Sequence, residues 1–150
     1  MRILITADLH YDSPRGRKAT EELAADICRA GGDALVLLGD TAGARHEPLA
    51  ECLRLFAGFA GRRLMVPGNH CLWCLPGENS LERYERLVPE IAAGEGFAVL
   101  DHAPTMLAGF GLVGSIGWYD YSYRDERLGL PLDFYEAKVG PAAAERLSEH

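Results

Sequence analysis

The sequence predicts an α/β fold with a mostly parallel sheet and crossover helices. Three observations carry this. Short, largely apolar runs recur at 3–7, 34–38 and 64–66. Segments with helical spacing of apolar residues alternate with them. Gly or Pro closes most segments. A strand covered on both faces reads as a continuous apolar run. Regular alternation of such strands with helices implies parallel pairing through crossovers.

Taken in order, Ile3-Leu4-Ile5-Thr6-Ala7 is the first strand. Residues 18–30 follow as a helix with Leu23, Ala24, Ile27, Cys28 and Ala30 on one face, and Gly31-Gly32 ends it. Ala34–Leu38 is the second strand. Pro48 suits a first helical turn, and Leu49, Cys52, Leu53, Phe56 and Ala60 continue at helical spacing to a stop at Gly61. Leu64–Val66 is a third strand, ended by Pro67.

Asn79 with Glu82 resembles a capping box for a helix carrying Leu81, Tyr84, Leu87, Val88 and Ile91, which Pro89 is expected to kink or end. Beyond Gly96 the texture changes. Short strands are predicted at 97–100, 105–108 and 112–116, antiparallel and extending the sheet, with a hairpin turn at Gly109-Phe110-Gly111. An aromatic loop at 118–124, a short helix at 133–139 and a helix starting at Pro141 complete the reading. No repeat or linker divides the 150 residues, so one domain is expected.

Composition narrows the function. Net charge is −7, from 15 Lys+Arg against 22 Asp+Glu. That disfavours sequence-independent nucleic-acid binding, which needs a basic face. An anionic substrate would then need positive charge from elsewhere, such as a bound metal. No apolar run has membrane-spanning length, and no signal peptide is visible at the N-terminus, so a cytoplasmic address without membrane partners is expected. The four cysteines, at 28, 52, 71 and 74, do not form the spacing of a disulfide framework.

The chemistry collects at strand ends. The first strand runs into Asp8-Leu9-His10, the second into Gly39-Asp40, the third into Gly68-Asn69-His70. In an open parallel sheet these carboxyl ends lie together, at the edge where ligands bind. Singly, each residue is an ordinary turn former or surface side chain. Together they bring two carboxylates, two imidazoles and one carboxamide to one edge. Asp8 and His10, two apart, share a face if the strand geometry continues, and can give oxygen and nitrogen to one cation. Asp40 has two oxygens and can bridge two cations, and Asn69 offers an amide oxygen. Mixed O/N ligation suits Mn, Fe, Zn or similar divalent ions. A pair of ions roughly 3.5–4 Å apart can clamp a phosphoryl group and activate a water.

The D-x-H, G-D and G-N-H motifs, each after a buried strand, resemble the calcineurin-like metallophosphoesterase superfamily. The resemblance implies an α/β/β/α sandwich, of which this chain would be the first half, incomplete at its C-terminus. It implies hydrolysis of phosphate esters at a two-metal centre. Asp8 and His10 would bind one metal, Asp40 would bridge both, and Asn69 would bind the second. His70 would act beside the substrate as a catalytic group, oriented by Asp40. The later Gly-His and Gly-His-x-His motifs of the superfamily are missing; His46, His102 and His150 lack the expected flanking residues. The second metal then has only Asp40 and Asn69. The chain is therefore expected to hold one metal well, or none, and to turn over slowly. Without a second sheet, the uncovered face is expected to self-associate.

Arg15, Trp118, Tyr119 and Asp120 are candidate substrate contacts. Arg15 stands in the basic stretch after D-x-H, and the others lie in a Gly-Trp-Tyr-Asp-Tyr run similar to a segment of a bacterial branch of the superfamily. Two other classes of function compete. A non-catalytic scaffold that binds a protein partner would explain the missing histidines. A thiol-redox or zinc module would use Cys71 and Cys74, but Pro76-Gly77 denies them a following helix and no further ligand pair accompanies them. Cys71 also stands where the superfamily usually has an acidic residue, which would open the site to oxidation or a soft metal.

Overall fold

The computed structural model describes residues 1–117, 126–129 and 131. The predicted aromatic loop and the two predicted helices beyond 132 lie outside the described residues, as do Trp118, Tyr119 and Asp120. Four parallel strands form one sheet in the order β1-β2-β3-β4: Ile3–Thr6, Ala34–Leu38, Arg62–Val66 and Ala98–Val99. Between them run α1 (Pro14–Ala30), α2 (His46–Leu55) and a composite helix. This last is α3 (Ser80–Glu82), a π turn (Arg83–Leu87) and α4 (Val88–Gly94). The α/β class and the mostly parallel sheet are as expected.

The differences have local causes. Helix α1 begins four residues before the expected start because Ser13 caps it, its hydroxyl accepting from the Gly16 N–H, and Pro14 fills the first turn. Helix α2 begins at His46, two residues before Pro48, and ends at Leu55 instead of Ala60. Beyond it, Ala57 and Phe59 donate to carbonyls three residues back, a tightened turn that buries Phe56 and Phe59. Asn79 caps α3 as expected, accepting from the Glu82 N–H at 2.7 Å. The helix passes through Pro89 without ending; Pro89 lies in the first turn of α4, directly after a π turn in which the Val88 N–H donates to Arg83 O.

Strand β4 corrects the antiparallel expectation: it pairs parallel to β3. Among the described residues only β5 (Thr105–Leu107) and β6 (Phe110–Leu112) are antiparallel, and they form their own two-stranded sheet. Their turn is Ala108-Gly109, both at positive φ, so Phe110 and Gly111 belong to the strand.

The helices cover one face of the sheet. Leu35, Leu37, Met65 and Val99 pack there with Ala24, Ile27, Leu49, Leu53, Phe56 and Val88. Each large side chain buried in this way contributes about 1.5–3 kcal/mol. The other face carries Ile3, Val36, Leu64 and Val66, and among the described residues Leu100, Leu107 and Leu112 pack against it. Ile5 and Leu38 on that side remain 61% and 41% exposed. No helix among the described residues is long and apolar enough to cross a membrane.

Candidate metal centre

The expected residues do meet. One oxygen each from Asp8 and Asp40 and one nitrogen from His10 lie within 4.8 Å of one another. His10 Nε2 lies 4.0 Å from Asp8 Oδ1. Asp8, His10 and Asp40 form the one such group among the described residues. Asn69 borders the same hollow as Asp8 and Asp40.

The backbone explains the convergence, and it is not strand continuation. Asp8, His10 and Asp40 all sit at positive φ, 55°, 42° and 45°. Asp and His are among the few side chains that tolerate this region, and it still stores strain. The two kinked segments are tied together: Asp8 N–H donates to Gly39 O (3.3 Å), His10 N–H to Asp40 O (2.9 Å) and Tyr11 N–H to Thr41 O (3.1 Å). Pairing thus outlasts the strands while the kinks turn successive donors toward one point. The expectation that Asp8 and His10 share an extended face is replaced by paired left-handed turns.

Glycines permit the close packing. A Cβ on Gly68 would lie 2.2 Å from Asp40 Oδ1, and one on Gly16 would lie 2.1 Å from the His10 carbonyl oxygen. That carbonyl also accepts from the Ser13 N–H and hydroxyl, both at 2.9 Å, so the α1 N-cap fixes the segment carrying His10.

Asn69 opens a 3₁₀ turn (His70–Leu72) but gives it no side-chain cap, so its carboxamide is not taken up by the helix end. Asp40 Oδ1 accepts from the His70 backbone N–H at 2.9 Å. Asp40 therefore holds His70 through its main chain. The His70 ring packs edge-on to His10, with centroids 4.6 Å apart.

Sequence reasoning missed Trp73. Its ring stacks on His70 with centroids 3.7 Å apart. The signal was the spacing, since a 3₁₀ turn brings residues three apart onto one side. It also missed Arg83, which is fully buried. Its guanidinium donates to Cys71 O at 3.1 and 3.2 Å and to Glu78 Oε2 at 3.2 Å, fixing the 71–78 loop that carries Trp73.

Three of the four cysteines, Cys52, Cys71 and Cys74, are buried. Cys71 is fully buried, and burial pushes its thiol pKa up, partly offset by backbone N–H groups of Gly68, Ala42 and Thr41. Burial likewise pushes Cys52 up to about 12. These protonated, inaccessible thiols disfavour both the redox reading and the expected opening of Cys71 to oxidation.

Two hollows flank the cluster. One, about 630 Å³, lies between the second sheet face and the 112–117 segment and has Asp8, Asp40 and Asn69 at its rim. The other, about 670 Å³, lies against α1 and is bordered by Asp8, His10, Arg15, His70 and Trp73. The donors are two carboxylates and one imidazole, with a carboxamide beside them, which fits a divalent cation of the Mn, Fe or Zn kind. A family profile described as calcineurin-like phosphoesterase matches residues 1–137. Comparison with curated proteins and with solved structures gave no match.

Proposed function

The chain belongs to the calcineurin-like phosphoesterase family, and on that premise we propose that it hydrolyses phosphate esters at a metal centre. Asp8, His10 and Asp40 hold one divalent cation, and Asp40 with Asn69 offers a place for a second. The observation that carries this is the meeting of the three donor atoms within 4.8 Å on strained backbone. Bound there, a divalent cation supplies Lewis-acid polarisation of a phosphoryl oxygen and an activated water.

The chain's own residues do the rest. Asp40 fixes the His70 backbone, and the packing against His10 and Trp73 restrains the imidazole. His70 is then placed to hydrogen-bond a phosphoryl oxygen or to protonate the departing oxygen. Arg15, on the α1 side, attracts the substrate anion. Trp118, Tyr119 and Asp120 are proposed as further substrate contacts from their sequence alone.

Among the described residues, the second cation has only Asp40 and Asn69. One strong site and slow turnover follow. Titration of the purified chain with Mn²⁺ by calorimetry, together with hydrolysis of bis(p-nitrophenyl) phosphate, tests this. One tight site per chain and slow, Mn²⁺-dependent hydrolysis are expected. Altering groups behind a metal ligand typically weakens affinity about 10–100-fold, so Asp40→Asn, which alters a ligand itself, should lose at least about a hundredfold. Metal binding without hydrolysis under any divalent ion would refute catalysis and leave the non-catalytic scaffold.

A further inference from the structure

The two hollows at the centre are chemically unlike. Asp40 and Asn69 border only the sheet-face hollow, whereas His10, His70 and Trp73 border only the α1 hollow. Asp8 borders both. The cluster is therefore a partition: Asp40 and the Asn69 carboxamide face one side, and both imidazoles, with Asp12, face the other.

Hydrolysis at phosphorus places the attacking and departing oxygens roughly in line, on opposite sides. The departing oxygen must lie within hydrogen-bond reach of its proton donor. On the reading above that donor is His70, so the leaving group occupies the hollow that His70 borders. Its walls then decide what fits. Trp73, Ala19 and Leu23 supply apolar surface, and Arg15 stands among them. The indole that stacks on the His70 ring borders this same space. The volume, about 670 Å³, is within the usual range for a small-molecule site.

We propose that the α1 hollow receives the leaving group of the substrate, that this group carries a planar aromatic ring, and that Trp73 determines this specificity. The inference rests on the phosphoesterase reading. In the step, a bond forms from phosphorus to the water oxygen while the bond to the leaving oxygen breaks. The electron pair goes to the leaving oxygen, which takes a proton from His70; the water's proton passes to solvent. An aromatic ring meeting the indole gains offset or edge contact that an alkyl group lacks. The single imidazole–indole stack also couples the ring site to the proton donor.

The test uses the intact chain with Mn²⁺ and two unreactive probes, benzylphosphonate and methylphosphonate. Calorimetry should show the benzyl probe binding about tenfold more tightly. That preference should vanish in Trp73→Leu and return in Trp73→Phe. Leu23→Ser, at a wall position already 37% exposed, should reduce the preference without unfolding the chain. Equal binding of the two probes, or a preference untouched by both Trp73→Leu and Leu23→Ser, overturns the inference. Hydrolysis separates the two readings. A chain that hydrolyses phenyl and methyl phosphate with equal sensitivity to Trp73→Leu keeps the phosphoesterase reading and loses this one. A chain with the ring preference but no hydrolysis keeps the aromatic site and loses the phosphoesterase reading.

Discussion

The two faces of the four-stranded sheet are built from the same residue types and are sealed to different degrees. On the helix side, Leu35, Leu37 and Met65 are sealed under α1, α2 and α4. On the other side, Val36, Leu64 and Val66 are buried, but Ile5 and Leu38 stay exposed and line a hollow. Apolar sequence on both faces announces that both are meant for contact. It does not say which contact is made within these residues. The helix side supplies stability. The open side and the strand ends above it supply space next to the candidate metal ligands.

Substitutions can break this contrast. The largest effect is expected from Leu37→Ala on the sealed face. It should destabilise the chain by about 2–5 kcal/mol, because the neighbours cannot collapse onto the void. Chemical denaturation measures it, and a loss below that range would mean the helix layer is looser than its burial indicates.

An intermediate effect is expected from alkali. Burial raises the Cys52 thiol from an ordinary value of 9.0 to about 12. The folded chain therefore holds this proton more tightly than the unfolded chain does. The contribution is fully present below about pH 9 and is lost as pH rises toward about 12. Denaturation midpoints should fall across that window, and less so in Cys52→Ala compared with its own neutral-pH midpoint. A flat profile would mean water reaches the thiol. The smallest effect is expected from Ile5→Ser on the open face, within about 0.5 kcal/mol, as for exposed sites generally. A cost as large as that of Leu37→Ala would show that the face is covered in solution.

Much of this was legible in the sequence. The second strand was read to its exact limits, since Gly and Asp bracket five apolar residues. The candidate ligand residues were visible because each follows such a strand. Helix limits were less legible. The start of α1 depends on Ser13 and Pro14, which carry no apolar periodicity, and the end of α2 depends on a turn that keeps Phe56 and Phe59 buried. The pairing of β4 was misread because two strand residues give too little pattern to fix a direction. Trp73 and Arg83 were missed for a different reason. Their roles arise from a 3₁₀ turn and a π turn, whose spacings differ from the helical period used to read the chain.

The left-handed backbone at Asp8, His10 and Asp40 also bears on how the protein could be improved or could drift. Glycine at any of these positions would relax the chain, and asparagine at 8 or 40 would preserve shape at little cost. Selection for thermal robustness alone would therefore favour the very replacements that remove these candidate ligands. Folding alone does not account for Asp, His and Asp at these three places.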